Sequence, residues 1–200
     1  MKIGIIGAAD LGQTVARRLS GAGYEVVLAN SRGPDTLVGL VAGLGPGVSA
    51  GTVEEVAALD IVVLAVPWTR VEDVLTRLPE WNGRILIDAT NAFLSYAPDF
   101  RLAELGGKTS SEIVAGFAKG ARVVKSLNTL DFKRLAADPA ERNGRRVLFL
   151  SGDDSGAKHD VTTIIEELGF AAIDLGGLVD GGRVQQVGGP LAGLDLLSVG

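Results

Sequence analysis

MKIGIIGAADLGQTVARRLSGAGYEVVLANSR, residues Met1 to Arg32, reads as a strand, a glycine turn, an amphipathic helix and a second strand. Lys2 to Ile6 is short and apolar, and Gly7 to Gly12 is a turn of small residues. Leu11, Val15 and Leu19 fall at helical spacing, with Arg17 and Arg18 on the far side. Ala22-Gly23 ends that helix, and Glu25 to Ala29 is again a short apolar run. A turn between a strand and a helix lets backbone N–H groups approach a pyrophosphate, and the helix N-terminus adds the positive end of its dipole. Gly7 and Gly12 keep the first and third glycines of G-x-G-x-x-G, while Ala9 stands at the middle position. A methyl there restricts the backbone and faces the phosphates. In this strand–turn–helix setting, Gly7, Ala8, Ala9, Asp10, Leu11 and Gly12 are the expected cradle of a dinucleotide.

The second strand ends in Asn30-Ser31-Arg32. A site for NAD usually places a carboxylate there, to accept hydrogen bonds from the ribose 2′-hydroxyl. Here an amide, a hydroxyl and a guanidinium stand in its place. A 2′-phosphate needs donors and positive charge, and arginine offers a planar fork that matches its oxygens. The expected cofactor is NADP(H).

Composition narrows the rest. The chain has 200 residues, 46% of them hydrophobic and 22% charged, enough apolar content for a substantial core. A net charge of −5 without a dense basic run argues against nucleic acid. No apolar stretch approaches a membrane span, and the first strand starts at residue 2 with no signal peptide ahead of it, so a cytoplasmic location is expected. Cysteine is absent, which removes disulfides, thiolate metal sites and cysteine nucleophiles. The single histidine, His159, sits between Lys158 and Asp160 in a helical segment and reads as solvated. Clustered-histidine metal sites and a Ser-His-Asp triad are thereby removed, no metal site is expected, and the chemistry falls to a cofactor.

Beyond Arg32, Thr36 to Leu44 reads as a helix with Leu37, Leu40, Val41 and Leu44 inward, and Val48 to Ala50 as an edge strand. Thr52 and Glu55 have capping-box spacing, as do Thr109 and Glu112. Asp60 to Val66 is the apolar run of a strand covered on both faces, stopped at Pro67-Trp68. Val71 to Leu78 reads as a helix, Arg84 to Ile87 as the next strand, and Leu102 to Leu105 as helical. Strands follow at Arg122 to Leu127, Arg146 to Leu150 and Ala171 to Leu175, with a helix ending near Leu168. The glycine-rich tail closes on Leu191 to Val199, which resembles a docking helix. The alternation predicts an α/β fold: a Rossmann-type, doubly wound parallel sheet over residues 1–119, with a small C-terminal α/β portion, 120–200, that continues the sheet and contributes to a dimer interface.

In such sheets ligands lie outside the carboxyl ends of the strands. Val66, Pro67 and Trp68 at one tip, and Ala89 and Asn91 at the next, should border the nicotinamide half of the cofactor. Trp68 fits either a place near the nicotinamide or a cap on the core. Asn91 fits either a bond to the carboxamide or ribose, or a role in its own turn.

The chain resembles the NADPH-dependent reductases of the deazaflavin coenzyme F420, the F420:NADP oxidoreductase family and its bacterial relatives. The resemblance runs through Gly7 to Gly12, Asn30 to Pro34, Ala65-Val66-Pro67, Asp88 to Asn91, Val124 to Thr129, Ser151 to Asp154 and Gly189-Pro190-Leu191. It implies a homodimer, with Ser31 and Arg32 on the 2′-phosphate, Ala8 to Leu11 on the pyrophosphate, and Val66, Pro67 and Ala89 on the nicotinamide side. It implies coenzyme F420 as the hydride acceptor. Archaeal members carry a histidine where this chain has Asn128, and the present tail is shorter and richer in glycine.

Hydride transfer asks mainly that donor and acceptor carbons be held about 3–3.5 Å apart, so a reductase needs no histidine or cysteine. Asn128 and Thr129 are candidates for orienting the acceptor, with a plain strand-end turn as the alternative, and no residue stands out as a general acid. Quinones, flavins and ferric chelates are alternative acceptors. A non-catalytic NADP(H) sensor is a reading from another class, and it should lack an open pocket above the nicotinamide.

Overall fold

The computed structural model describes residues 1–199; Gly200, the last residue of the expected C-terminal portion, lies outside them. Strands β1 (Lys2–Ile6), β2 (Glu25–Ala29), β3 (Val48–Ala50), β4 (Ile61–Leu64) and β5 (Ile85–Asp88) form a parallel sheet in the order β3-β2-β1-β4-β5. The interleaved helices are α1 (Asp10–Gly21), α2 (Val38–Val41), α3 (Val53–Ala57) and α4 (Trp68–Thr76). After β5 come a hairpin, β6 (Phe93–Ser95) and β7 (Arg101–Leu102), helix α5 (Ser110–Phe117) and strand β8 (Arg122–Ser126). β8 pairs in parallel with β5, so the sheet crosses residue 119 without a break.

The remaining elements are α6 (Phe132–Ala136), β9 (Ala140–Glu141), β10 (Gly144–Gly152), α7 (Ser155–Glu167), β11 (Ala171–Asp174), α8 (Asp180–Gln185) and β12 (Leu197–Val199). β10 joins β8 antiparallel and β11 joins β10 parallel, so the sheet is mostly rather than wholly parallel. Order reverses at β1, with β2 on one side and β4 on the other. That is the switch point outside which ligands of such sheets bind.

The burial pattern explains why these runs are strands. Every residue of β4 and β5 is buried, because helices cover both faces. Val15, Leu19, Ile5, Leu28 and Ile165 belong to the core on one face; Val62, Leu86, Leu75 and Val114 to that on the other. Both capping boxes form: Thr52 accepts from Glu55 N, and Thr109 from Glu112 N, while each glutamate accepts from its partner's backbone N–H.

Four expectations change. Thr36 to Leu44 is a 3-10 turn (Pro34–Leu37) running into the four-residue α2, although Leu37 and Leu44 do point inward. Leu102 to Leu105 is not helical: Leu102 pairs with Phe93 in the hairpin, where the rings of Tyr96 and Phe100 lie 5.2 and 5.8 Å from that of Phe93. Leu191 to Val199 is not a docking helix either. Leu191 packs beside Val147 and Phe149, and Leu197 to Val199 adds an antiparallel strand to Gly144 to Arg146. Edge pairing there overrides a weak helical pattern. Arg18 is not on a free face: its Nε donates to Leu135 O at 2.9 Å and its guanidinium lies over the ring of Phe170, stitching α1 to the C-terminal elements.

Candidate functional site

Along the carboxyl ends of the strands runs a groove made of three adjoining cavities. The first, about 310 Å³, lies between Asn30, Ser31, Gly33, Val53 of α3, Asp73 of α4 and Arg77 just after α4. The second, about 300 Å³, adds Gly7, Ala8, Ala9 and Arg70. The third, about 320 Å³, shares Ala9, Ala65, Val66 and Pro67 with the second and continues to Ala89, Asn91, Phe93, Tyr96, Asn128 and Phe132.

The glycine turn is set by close backbone packing. Gly7 has φ 118°, and a Cβ on it would lie 2.2 Å from Ala65 O. A Cβ on Gly12 would lie 1.9 Å from Gly7 O. Ala9 needs no such freedom. It is the N-cap of α1 with φ −82° and ψ −174°, an extended conformation open to any L-residue. Its methyl lines the groove. No side chain caps α1, which leaves first-turn N–H donors for a ligand. At the end of β2, Asn30 fixes its own loop: Oδ1 accepts from Arg32 N at 2.9 Å and Nδ2 donates to Thr36 Oγ1 at 3.0 Å. Ser31 and Arg32 are exposed, and no described residue pairs with the Arg32 guanidinium.

The far end rests on buried polar chemistry. Asp88 and Lys125, at the ends of β5 and β8, are fully buried and paired at 3.1 Å. Lys125 Nζ also donates to Thr90 O at 2.9 Å. The Asp88 carboxylate accepts from Ser111 Oγ, Thr90 Oγ1 and Thr90 N. Burial alone would push its pKa up, but Lys125 and these donors hold it below the usual carboxylate range.

One step outward, Asn91 Nδ2 donates to Asn128 O at 3.0 Å, and Asn128 Nδ2 donates to Asn91 Oδ1 at 3.2 Å and to Gln185 O at 2.9 Å. Gln185, fully buried on α8, donates from Nε2 to Asn128 Oδ1 and accepts from Ser151 Oγ at 2.7 Å. Leu127, with φ 63°, turns the chain out of β8 and lines the cavity. A non-glycine residue is held left-handed only where its surroundings over-determine it.

Residues 2–92 match the family model described as NADP oxidoreductase, coenzyme F420-dependent. Over that N-terminal stretch the chain is similar to this family. A hypothetical protein of Sinorhizobium meliloti is 43% identical and superposes with a TM-score of 0.92, covering 99% of this chain and 96% of its own. A candidate F420-dependent NADP reductase of Arthrobacter sp. FB24 is 27% identical with a TM-score of 0.72, over 89% of this chain and 86% of that one. Metalloreductase STEAP3 of Rattus norvegicus is 29% identical over 188 residues, 93% of this chain. The chain spans only 36% of the length of that relative. No helix among the described residues is long and apolar enough to cross a membrane.

In this fold the expected site residues separate into two sets. Gly7, Ala8, Ala9, Asn30, Ser31, Val66 and Pro67 line the second cavity, and Ala9, Leu11, Val66, Pro67, Ala89, Asn91 and Asn128 the third. Gly12 is buried beneath the turn, and Asp10 is exposed at the start of α1. Arg32 stands outside the cavity walls. Trp68 lines none of the three; half-buried, it packs on the core that holds Leu75 and Val114. Thr129 is buried and its carbonyl accepts from Gly193 N at 2.9 Å, away from the cavity. His159 is exposed on α7.

Arg70, Phe132, Tyr96, Lys125 and Gln185 were not expected. Arg70 could have been found as the residue three past Pro67 at a strand tip. Gln185 and Lys125 carry no local motif, since their partners lie 57 and 37 residues away.

Proposed function

We propose that this protein transfers a hydride between NADPH and a small planar acceptor bound at the third cavity, with Ser31 and Arg32 receiving the 2′-phosphate. The observation that carries this reading is the continuity of the groove, from the Asn30-Ser31 loop and Arg70 to the Asn91–Asn128 wall. The residues fit the cofactor. Gly7 and Gly12 permit the tight turn, Ala9 presents only a methyl, α1 has uncapped donors, and Arg70 adds a second cation beside Ser31. Bound there, NADPH supplies the reducing equivalent. The chain's own part is to hold and orient it, with Val66, Pro67 and Ala89 forming an apolar wall and Asn91 and Asn128 a rigid polar one.

Apart from Asp131, the third cavity has no ionisable acid or base but the phenol of Tyr96, which fits a transfer that needs only positioning. An open cavity at that end favours transfer over a sensor. Coenzyme F420 is the acceptor suggested by the family's description; the metalloreductase relative points to a ferric chelate as a second reading. Titration of NADPH and NADH by nucleotide fluorescence tests the donor. Arg32→Ala should weaken NADPH by about 1.5–3 kcal/mol, the worth of a lost charge-assisted hydrogen bond, and spare NADH. Equal losses for both would remove the 2′-phosphate assignment.

A further inference from the structure

We infer that Arg70 is the cation that holds the pyrophosphate of the dinucleotide, a group that NADPH and NADH share, while Arg32 acts only on the 2′-phosphate that tells them apart. This rests on the NADPH reading above and adds to it a division of the site between a common anchor and a discriminator.

Three observations carry it. First, place in the groove. A dinucleotide laid along the three adjoining cavities, with its 2′-phosphate at the β2 end and its nicotinamide against Val66, Pro67 and Ala89, has its pyrophosphate in the middle one. Arg70 lines that second cavity together with Gly7, Ala8 and Ala9 of the turn, and is missing from the walls of the first and third. Second, charge. A pyrophosphate is anionic, and the glycine turn offers it only neutral N–H donors. The first residue of α1 is itself an acid, the exposed Asp10. Arg70 is the one cation on the wall of the second cavity, and Asp73 the one carboxylate. Asp73 is paired with Arg77, just after the end of α4. Glu54 lines the first cavity and not the second. Arg70 is exposed and, among the described residues, no carboxylate pairs with it. Its guanidinium supplies the charge that the turn lacks, and its fork matches two phosphate oxygens.

Third, connection to the nicotinamide wall. Arg70 N donates to Pro67 O at 2.8 Å, so Arg70 and the Val66-Pro67 tip belong to one turn at the start of α4. A grip on the pyrophosphate through Arg70 therefore also pins that tip against the nicotinamide half of the cofactor.

Arg70→Met removes the charge at an exposed position and keeps a flexible stem. Titrations of the full chain, followed by nucleotide fluorescence, should show NADPH and NADH weakened by the same factor, about tenfold, as expected for a lost charge-assisted hydrogen bond. In competition with NADPH, the inhibition constant of ADP-ribose, which has the pyrophosphate and no 2′-phosphate, should rise by that factor. The constant for 2′-AMP, which has the 2′-phosphate and no pyrophosphate, should stay where it is in the parent, and this also shows that the variant is folded. Arg32→Ala should give the opposite pattern with these two competitors. Arg70→Lys keeps the charge without the fork and should fall between parent and Arg70→Met. Added salt should weaken NADH binding by the parent more than by Arg70→Met, because only the parent has the charge to screen. A greater loss for NADPH than for NADH would move Arg70 to the 2′-phosphate and overturn the inference. An unchanged ADP-ribose constant, a matching loss for 2′-AMP, a lysine variant no better than methionine, or equal salt dependence would overturn it as well. The two levels separate in the parent protein: failure to bind NADPH removes the functional reading itself, whereas normal NADPH binding with an indifferent Arg70 removes only this assignment.

Discussion

At the nucleotide end of the groove the protein offers backbone: Gly7, Ala8, Ala9 and the uncapped start of α1, with Ser31 and Arg32 standing exposed beyond them. At the acceptor end it offers side chains already tied to one another, Asp88 to Lys125 and Asn91 through Asn128 to Gln185. The first end is built from neighbours in sequence and keeps its donors free. The second is assembled from β5, β8, β10 and α8, and its polar groups are spent on one another. The difference suggests a division of labour. A dinucleotide is recognised by groups that wait for it, while the wall beside the acceptor is made rigid and chemically quiet, leaving the bound nucleotide to supply the reactivity.

The strongest way to break the acceptor end is Lys125→Met. Removing one partner of a fully buried pair leaves Asp88 charged in the interior, with an expected loss of about 3–5 kcal/mol in denaturant unfolding. The sign of the pH dependence should also change. In the parent protein Asp88 is held below its ordinary value, so its stabilisation is present above the unfolded carboxylate pKa and is lost as pH falls through the depressed one. Without Lys125, burial dominates and the carboxyl pKa rises above the unfolded value. The variant should then gain stability as pH falls towards 4, a range in which the parent's Asp88 contribution is unchanged; the parent loses that contribution only at lower pH. A variant with the parent's pH slope would show that Lys125 does not hold the charge of Asp88.

The nucleotide end is tested by Gly12→Ala. A Cβ at 1.9 Å from Gly7 O forces α1 away from the turn, an overpacking cost of about 1–3 kcal/mol. The displacement falls on the cradle itself, so NADPH affinity should drop while binding of coenzyme F420 by the folded variant is largely kept. Lost F420 binding with intact NADPH binding would invert the assignment of the two ends.

This division also decides what could be read from the sequence. Strands β1 and β2, the turn between β1 and α1, and both capping boxes depend on residues within a few positions of one another, so their spacing is visible in the chain. Ala9 drew suspicion as a missing glycine because a motif records residue type and not φ; its extended conformation removes the objection. The acceptor wall was only half legible. Asn91 and Asn128 could be placed at strand ends, but their bond to each other depends on β8 lying beside β5 with residue 127 left-handed, and Leu127 has none of the glycine or asparagine character that marks such a turn. The aromatic hairpin was missed because the run Leu102 to Leu105 looked helical and the two strands are only three and two residues long. The terminal strand was missed because an edge pairing with β10 leaves no periodic mark in nine residues.

The smallest effect should come from a change that touches neither end. Tyr24 is one of two tyrosines; its hydroxyl donates to Glu167 at the amino-terminal end of the strands, the end away from the groove. Burial, the hydrogen bond and the charge of Glu167 raise its pKa to about 12. A group whose pKa is raised on folding gives its stabilisation below the unfolded value and loses it as pH climbs through the folded one, so this contact should be intact at neutral pH and fail only in strong alkali. Ultraviolet titration should show one tyrosine ionising late, and Tyr24→Phe should remove that late step. NADPH and coenzyme F420 affinities should stay within error of the parent's. If they moved instead, the two ends would be coupled through the sheet, and the separation drawn between a waiting nucleotide site and a rigid acceptor wall would have to give way to a single cooperative groove.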